Sequence, residues 1–164
     1  MLTDNIPQNA SNLKYLTTRV VFREVPDEIT LAINITNCPF MCEDCHSPEL
    51  HENTGRFLNK KEIDNLLDRN KGITCVSLMG GDSHPEEVLC LARYIKTMKL
   101  KSCWYTGQDI NPAMPGLNNY LDFIKTGPYI KERGPLDNPN TNQRFYELGT
   151  DCVKDLTNRF TRNL

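Results

Sequence analysis

At 164 residues, with 19 Lys plus Arg against 21 Asp plus Glu and a net charge of -2, the chain has the size of a single domain (1–164) able to bury roughly two-thirds of its unfolded surface. Nothing in that balance asks for nucleic acid or an anionic membrane surface as a partner. No charged-then-apolar leader opens the sequence, and no stretch approaches the roughly 18 apolar residues that span a bilayer, so the expected setting is soluble and cytoplasmic.

Residues 1–14 are polar, with Asn5, Gln8, Asn9, Ser11 and Asn12, and read as a loosely ordered lead-in. Strands are expected over 18–25 and 29–35, joined by a turn at Pro26-Asp27; the second alternates Ile29, Leu31, Ile33 and Ile35 with polar or small residues. It runs straight into Cys38-Pro39-Phe40-Met41-Cys42-Glu43-Asp44-Cys45, three thiols within eight residues. Pro39 and Pro48 keep that segment out of a helix, so it is expected to be a loop. A helix over 58–70 is signalled by Asn59 with Glu62 three residues on and by Ile63, Leu66 and Leu67 on one face.

A short apolar strand over 73–79 stops at Gly80-Gly81-Asp82. A second helix follows from His84-Pro85-Glu86-Glu87, with Val88, Leu89, Ala92, Ile95 and Met98 as its stripe and lysines at its end. Strands are expected at 102–105, 120–125 and 143–148, a surface loop over 131–142, and a short helix over 153–160. Strand alternating with helix predicts a parallel α/β sheet, and the chain is too short for an eight-fold barrel of about 250 residues, so a partial, open barrel is expected.

Seven cysteines is not a secreted disulfide framework. Cys75, Cys90, Cys103 and Cys152 are expected to be small buried hydrophobes, with a fourth metal ligand among them as the runner-up. Cys38, Cys42 and Cys45 are soft ligands for one compact centre. Three assignments fit the spacing: a structural zinc completed by His46 or His51, a redox dithiol at Cys42 and Cys45, or a 4Fe-4S cluster held by three thiolates with one iron left open. Gly80-Gly81-Asp82 breaks the tie between zinc and iron–sulfur. A glycine pair at the carboxyl end of a parallel strand lets backbone approach a ligand, and Asp82 offers an acceptor for an ammonium group.

The pattern of three and then two residues between Cys38, Cys42 and Cys45, taken with Gly80-Gly81-Asp82, resembles the radical S-adenosylmethionine superfamily. Asn37 through Glu49, Tyr105-Thr106-Gly107, Gly127-Pro128-Tyr129-Ile130 and Asn142-Gln143-Arg144 resemble the activating proteins of anaerobic ribonucleoside-triphosphate reductases.

That resemblance implies an open β/α barrel with a mostly parallel sheet and a 4Fe-4S cluster on Cys38, Cys42 and Cys45. It also implies S-adenosylmethionine lying against Asp44, Cys45, His46, Gly80, Gly81 and Asp82. The activity implied is reductive cleavage of S-adenosylmethionine to place a glycyl radical on the large catalytic subunit of the reductase, with reduced flavodoxin or ferredoxin as electron donor. No acid–base catalytic residue is required. Many superfamily members carry an aromatic residue where this chain has Asp44, which leaves Tyr105 and Phe40 as candidates to pack on adenine. Partner contacts are expected at Tyr129, Lys131, Glu132, Arg133 and the loop to Asn142. The alternatives are an activase for another glycyl-radical enzyme of the formate-lyase type, or a non-catalytic, zinc-stabilised binding module.

Overall fold

The computed structural model describes residues 10–161. The first two strands, β1 (Lys14–Val21) and β2 (Thr30–Ile35), form an antiparallel hairpin with Val20 opposite Leu31 and Thr18 opposite Ile33. The first strand starts earlier than expected because Leu13 and Tyr15, 2% and 5% exposed, are core residues. Just before them, Ser11 Oγ and Asn12 Nδ2 donate to the two carboxylate oxygens of Glu87 at 2.9 and 2.6 Å. The end of the expected lead-in is therefore anchored, while its residues 1–9 lie outside the described residues.

A two-residue strand without a sequence signal, β3 (Arg56–Phe57), pairs with the start of β1. Helix α1 (Lys60–Arg69) begins at Asn59, whose side chain accepts the Glu62 N–H at 2.9 Å as the spacing predicts. The Glu62 carboxylate turns inward to accept the Tyr15 hydroxyl at 2.5 Å. Strand β4 (Cys75–Met79) is followed by α2 (Pro85–Thr97), which buries Val88, Leu91, Ala92 and Ile95. Strands β5 (Lys101–Tyr105), β6 (Phe123–Thr126), β7 (Arg144–Leu148) and β8 (Val153–Asp155) complete the sheet.

The eight strands run in the order β3-β1-β2-β4-β5-β6-β7-β8. Only the centre, β2-β4-β5-β6, is parallel; both flanks are antiparallel, so the sheet is mixed where a mostly parallel one was expected. A parallel neighbour needs a crossover, which α1 and α2 supply for β4 and β5 and the long connection through the 3-10 turn Leu117–Asn119 supplies for β6, whereas β7 and β8 each return antiparallel to the strand before them. The helix expected over 153–160 is instead β8 and a single 3-10 turn, Thr157–Arg159. Two bonds to β7 hold it so: Leu156 N–H donates to Phe145 O at 2.8 Å, and Phe145 N–H donates to Thr157 Oγ1 at 2.9 Å.

Alternation divides the core. Leu31, Ile33, Ile35, Val76, Leu78, Trp104 and Ile124 pack with α1 and α2 on one face. Cys75, Cys103, Phe123 and Phe145 face the other way, where Leu136 and Phe160 from connecting segments cover them in place of a helix. The 131–142 loop is thus only partly a solvated surface, since Leu136 and Thr141 are buried. Of the four remaining thiols, Cys75 and Cys103 are buried as expected, Cys90 is half-buried and Cys152 is exposed, having followed β7 out past the core into a turn. Among the described residues, no helix is long and apolar enough to cross a membrane.

Candidate metal centre

The carboxyl ends of the four parallel strands converge on one rim, and the residues singled out from the sequence lie there. From β2 the chain enters a loop whose base is closed by two backbone bonds, Asn37 N–H to Glu52 O at 3.0 Å and Cys38 N–H to Leu50 O at 3.1 Å. Cys38, Cys42 and Cys45 are all half-buried in it, and none forms a disulfide. Asn37 and Asp44, flanking the thiols, have φ of 62° and 55°, a left-handed conformation that Asn and Asp tolerate better than other side chains.

The thiols sense one another. Burial pushes the Cys38 thiol up, a hydrogen bond with the backbone of Phe40 pulls it back, and Asp82, Cys42 and Cys45 add to the rise. Ser47 N–H points at Cys45 Sγ, 3.5 Å away, the kind of N–H···S contact that tunes an iron–sulfur centre.

Among the described residues, no three His, Cys, Asp or Glu side chains are gathered to hold one metal ion. A closed zinc site needs all its donors on a single atom, whereas in a cluster each thiolate takes a different iron. The donor set, three soft and half-buried thiols in one loop, fits a 4Fe-4S cluster.

The Gly80-Gly81-Asp82 turn leaves β4 beside this loop. Gly80 and Gly81 have φ of +98° and +89°, which only glycine adopts freely, and a Cβ on Gly81 would lie 2.5 Å from Val88 Cγ2. Gly80 is fixed from both sides: its N–H donates to Tyr105 O at 2.9 Å and its carbonyl accepts Trp104 Nε1–H at 2.8 Å. Ser83 Oγ donates to Asn37 O at 2.5 Å, locking the turn to the base of the cysteine loop.

Asp82 departs from expectation. Its carboxylate is 8% exposed and takes the Thr106 hydroxyl, the Gly107 N–H at 3.3 Å and the Gln108 side-chain amide at 3.3 Å. Three donors from the loop after β5 occupy most of the roughly four lone-pair sites of a carboxylate, so Asp82 braces that loop to the β4 turn and is not an open acceptor for an ammonium. Burial nonetheless raises its pKa, against the pull of those three hydrogen bonds.

Tyr105 and Phe40, the candidates for adenine packing, are both engaged within the protein. Tyr105 donates its hydroxyl to Glu24 O at 2.5 Å and packs on Phe145, with ring centroids 5.9 Å apart. The Phe40 ring covers Gly107, where a Cβ would come within 2.6 Å of it. Tyr129 packs edge to face on His46, centroids 5.3 Å apart at 88°. Asn142 and Gln143 donate to Pro128 O at 2.9 and 3.5 Å, so the Asn-Gln-Arg and Gly-Pro-Tyr segments noted in the sequence support each other.

Lys125 was not anticipated. It sits 9% exposed at the end of β6 and donates from Nζ to Gly127 O at 2.7 Å. Burial pulls it down to about 8, with Asp82 and Cys42 acting in the opposite sense, which places a cation within electrostatic reach of both. Its sequence signal is a lone lysine inside an otherwise buried strand, Phe123–Thr126. Beside the rim, a cavity of about 720 Å³ is lined by Phe22, Arg23, His46, Tyr105, Leu136 and Phe160 among others, on the face away from the helices.

Residues 29–145, well over half of the chain, match the family described as 4Fe-4S single cluster domain, and the chain belongs to that family. It is accordingly an iron–sulfur protein with a 4Fe-4S cluster as its cofactor. No curated protein and no solved structure matches it.

Proposed function

We propose that this iron–sulfur protein is a radical S-adenosylmethionine activase that installs a glycyl radical on the large catalytic subunit of an anaerobic ribonucleotide reductase. The observation that carries the reading is the joining of two strand ends. The three-cysteine loop after β2 and the Gly80-Gly81-Asp82 turn after β4 are bonded through Ser83 and Asn37 and open beside a cavity that reaches His46. Ligands of α/β sheets bind at such carboxyl ends. On this reading the parallel centre is a partial radical S-adenosylmethionine barrel whose inner face is the one away from the helices.

Cys38, Cys42 and Cys45 would hold the cluster, which, once reduced by flavodoxin or ferredoxin, would supply the electron for reductive cleavage of S-adenosylmethionine and so the hydrogen-abstracting power directed at a glycine of the partner. The chain's own residues position and shield. Asp44, Cys45 and His46 give the backbone along which the cofactor lies, and Gly80 and Gly81 leave room for its methionyl end. Asp82 acts by holding Thr106, Gly107 and Gln108 in place, and Lys125 offsets negative charge around Cys42 and Asp82. No side chain has to act as a general base.

The test is anaerobic reconstitution followed by reduction. The expected result is about four iron per chain and formation of methionine and 5′-deoxyadenosine from S-adenosylmethionine, then a glycyl radical signal by electron paramagnetic resonance on mixing with the reductase. Stoichiometric zinc without iron uptake would overturn the activase in favour of a zinc-stabilised binding module. A radical formed only on a formate-lyase type enzyme would reassign the partner.

A further inference from the structure

The segment after β6 grips the cysteine loop at both sides of one ligand. Lys131 Nζ lies 2.7 Å from Asp44 Oδ2 and 3.1 Å from Glu43 Oε1, and these two acids are the whole interval between Cys42 and Cys45. Two residues earlier in the same segment, Tyr129 packs on His46, the residue that follows Cys45. Residues 43, 44 and 46 are thus all held from one place. The gripping segment is itself fixed: Gly127 N–H donates to Gln108 O at 2.9 Å, Asn142 holds Pro128 O, and Arg133 and Gly134 N–H both donate to Ile130 O at 2.9 Å. Asp44 adopts a left-handed φ of 55°, a conformation open to Asp, with its carboxylate on Lys131.

We propose that Lys131 is a positioning residue for Cys45 and an electrostatic neighbour that raises the reduction potential of the cluster. This rests on the cluster being held by Cys38, Cys42 and Cys45. Three thiolates make the centre anionic, and each added electron makes it more so. A cation fixed on the two carboxylates beside Cys45 neutralises charge that would otherwise oppose reduction, and net local charge is one of the levers on such potentials. As a stability element the pair is minor: Lys131, Glu43 and Asp44 side chains are 46%, 74% and 62% exposed, and exposed ion pairs contribute about 0–1 kcal/mol. Its substitution therefore leaves the fold intact, which separates a tuning role from a merely structural one.

The experiment compares anaerobically reconstituted wild type with Lys131→Ala, Lys131→Glu and Lys131→Arg. It measures iron per chain, thermal unfolding of the loaded protein, the reduction midpoint followed by electron paramagnetic resonance, and the rate of iron loss to a chelator. Expected are unchanged unfolding, a midpoint shifted to lower potential in the order Ala then Glu, and iron loss roughly 10-fold faster, as for outer-layer substitutions around metal ligands. Lys131→Arg should restore both values, and Glu43→Gln with Asp44→Asn in the Lys131→Ala background should return the midpoint toward wild type. A Lys131→Glu protein with wild-type iron content, midpoint and iron-loss rate would overturn the proposal while leaving the cluster assignment standing. If wild type itself takes up no four-iron cluster, the functional reading fails first.

Discussion

Gly81→Ala, set beside Gly72→Ala, isolates what the strand-end turn contributes. Both glycines have positive φ, +89° and +86°, so alanine at either pays the left-handed cost of about 1–2 kcal/mol. They differ in their surroundings. At Gly72 a new Cβ meets nothing within 4 Å, whereas at Gly81 it would lie 2.5 Å from Val88 Cγ2. Val88 is fully buried in α2, and a β-branched side chain in a helix has essentially one rotamer, so it cannot swing aside. Relief requires α2 or the turn to shift, which adds about 1–3 kcal/mol of overpacking. The sum is about 2–5 kcal/mol for Gly81→Ala against about 1–2 kcal/mol for Gly72→Ala. Urea unfolding of the two variants and wild type under anaerobic conditions reads the difference directly. Equal destabilisation within about 0.5 kcal/mol would mean that Val88 does not close on Gly81, and the close packing of α2 against the turn would be refuted.

Three further outcomes follow from the same geometry. Replacing any one of Cys38, Cys42 or Cys45 with Ala should abolish four-iron loading and S-adenosylmethionine cleavage, while Cys90→Ala retains both; loss of cluster assembly in Cys90→Ala would sink the three-ligand assignment. Phe145→Ala should destabilise by about 3–5 kcal/mol in chemical unfolding, since its fully buried ring packs on Tyr105, Phe123 and Phe160.

The Glu62 carboxyl gives a pH signature. Burial works against its charge, but hydrogen bonds from Tyr15 and Asn65 and the charges of Arg56 and Arg69 outweigh it and hold the pKa below the usual 4.5. A depressed folded pKa means stability present above 4.5 and lost as pH falls through the folded value. The urea midpoint of Glu62→Gln should therefore lie below wild type at pH 7 and approach it toward pH 3; a gap that stays constant over that range would contradict the assignment.

Much of the scaffold was legible because period and punctuation carry physical meaning. Asn59 with Glu62 marked the start of α1, Pro85 the start of α2, and β2, β4, β5 and β6 fell close to their apolar runs. The flanks were less legible. β1 is exposed on much of both faces, so its alternation misplaced its start, and β3 is a two-residue strand specified by pairing with Lys14 and Tyr15 and not by its own side chains. β8 replaced the expected helix because its residues pair with β7 and the bonds to Phe145 fix the segment that follows.

For the site the division is similar. The thiol spacing and the glycine pair are local chemistry: soft ligands within one loop, and positive φ that only glycine takes freely, are properties of the chain itself. The sequence could therefore name Cys38, Cys42, Cys45, Gly80 and Gly81. What faces a residue is set by long-range packing. Only the tertiary structure turned Asp82 inward onto Thr106, Gly107 and Gln108, brought Lys125 within reach of Asp82 and Cys42, and laid Tyr129 and Lys131 on either side of Cys45. Those partners lie 24 to 88 residues apart in sequence, and no local spacing encodes which strand end will meet which.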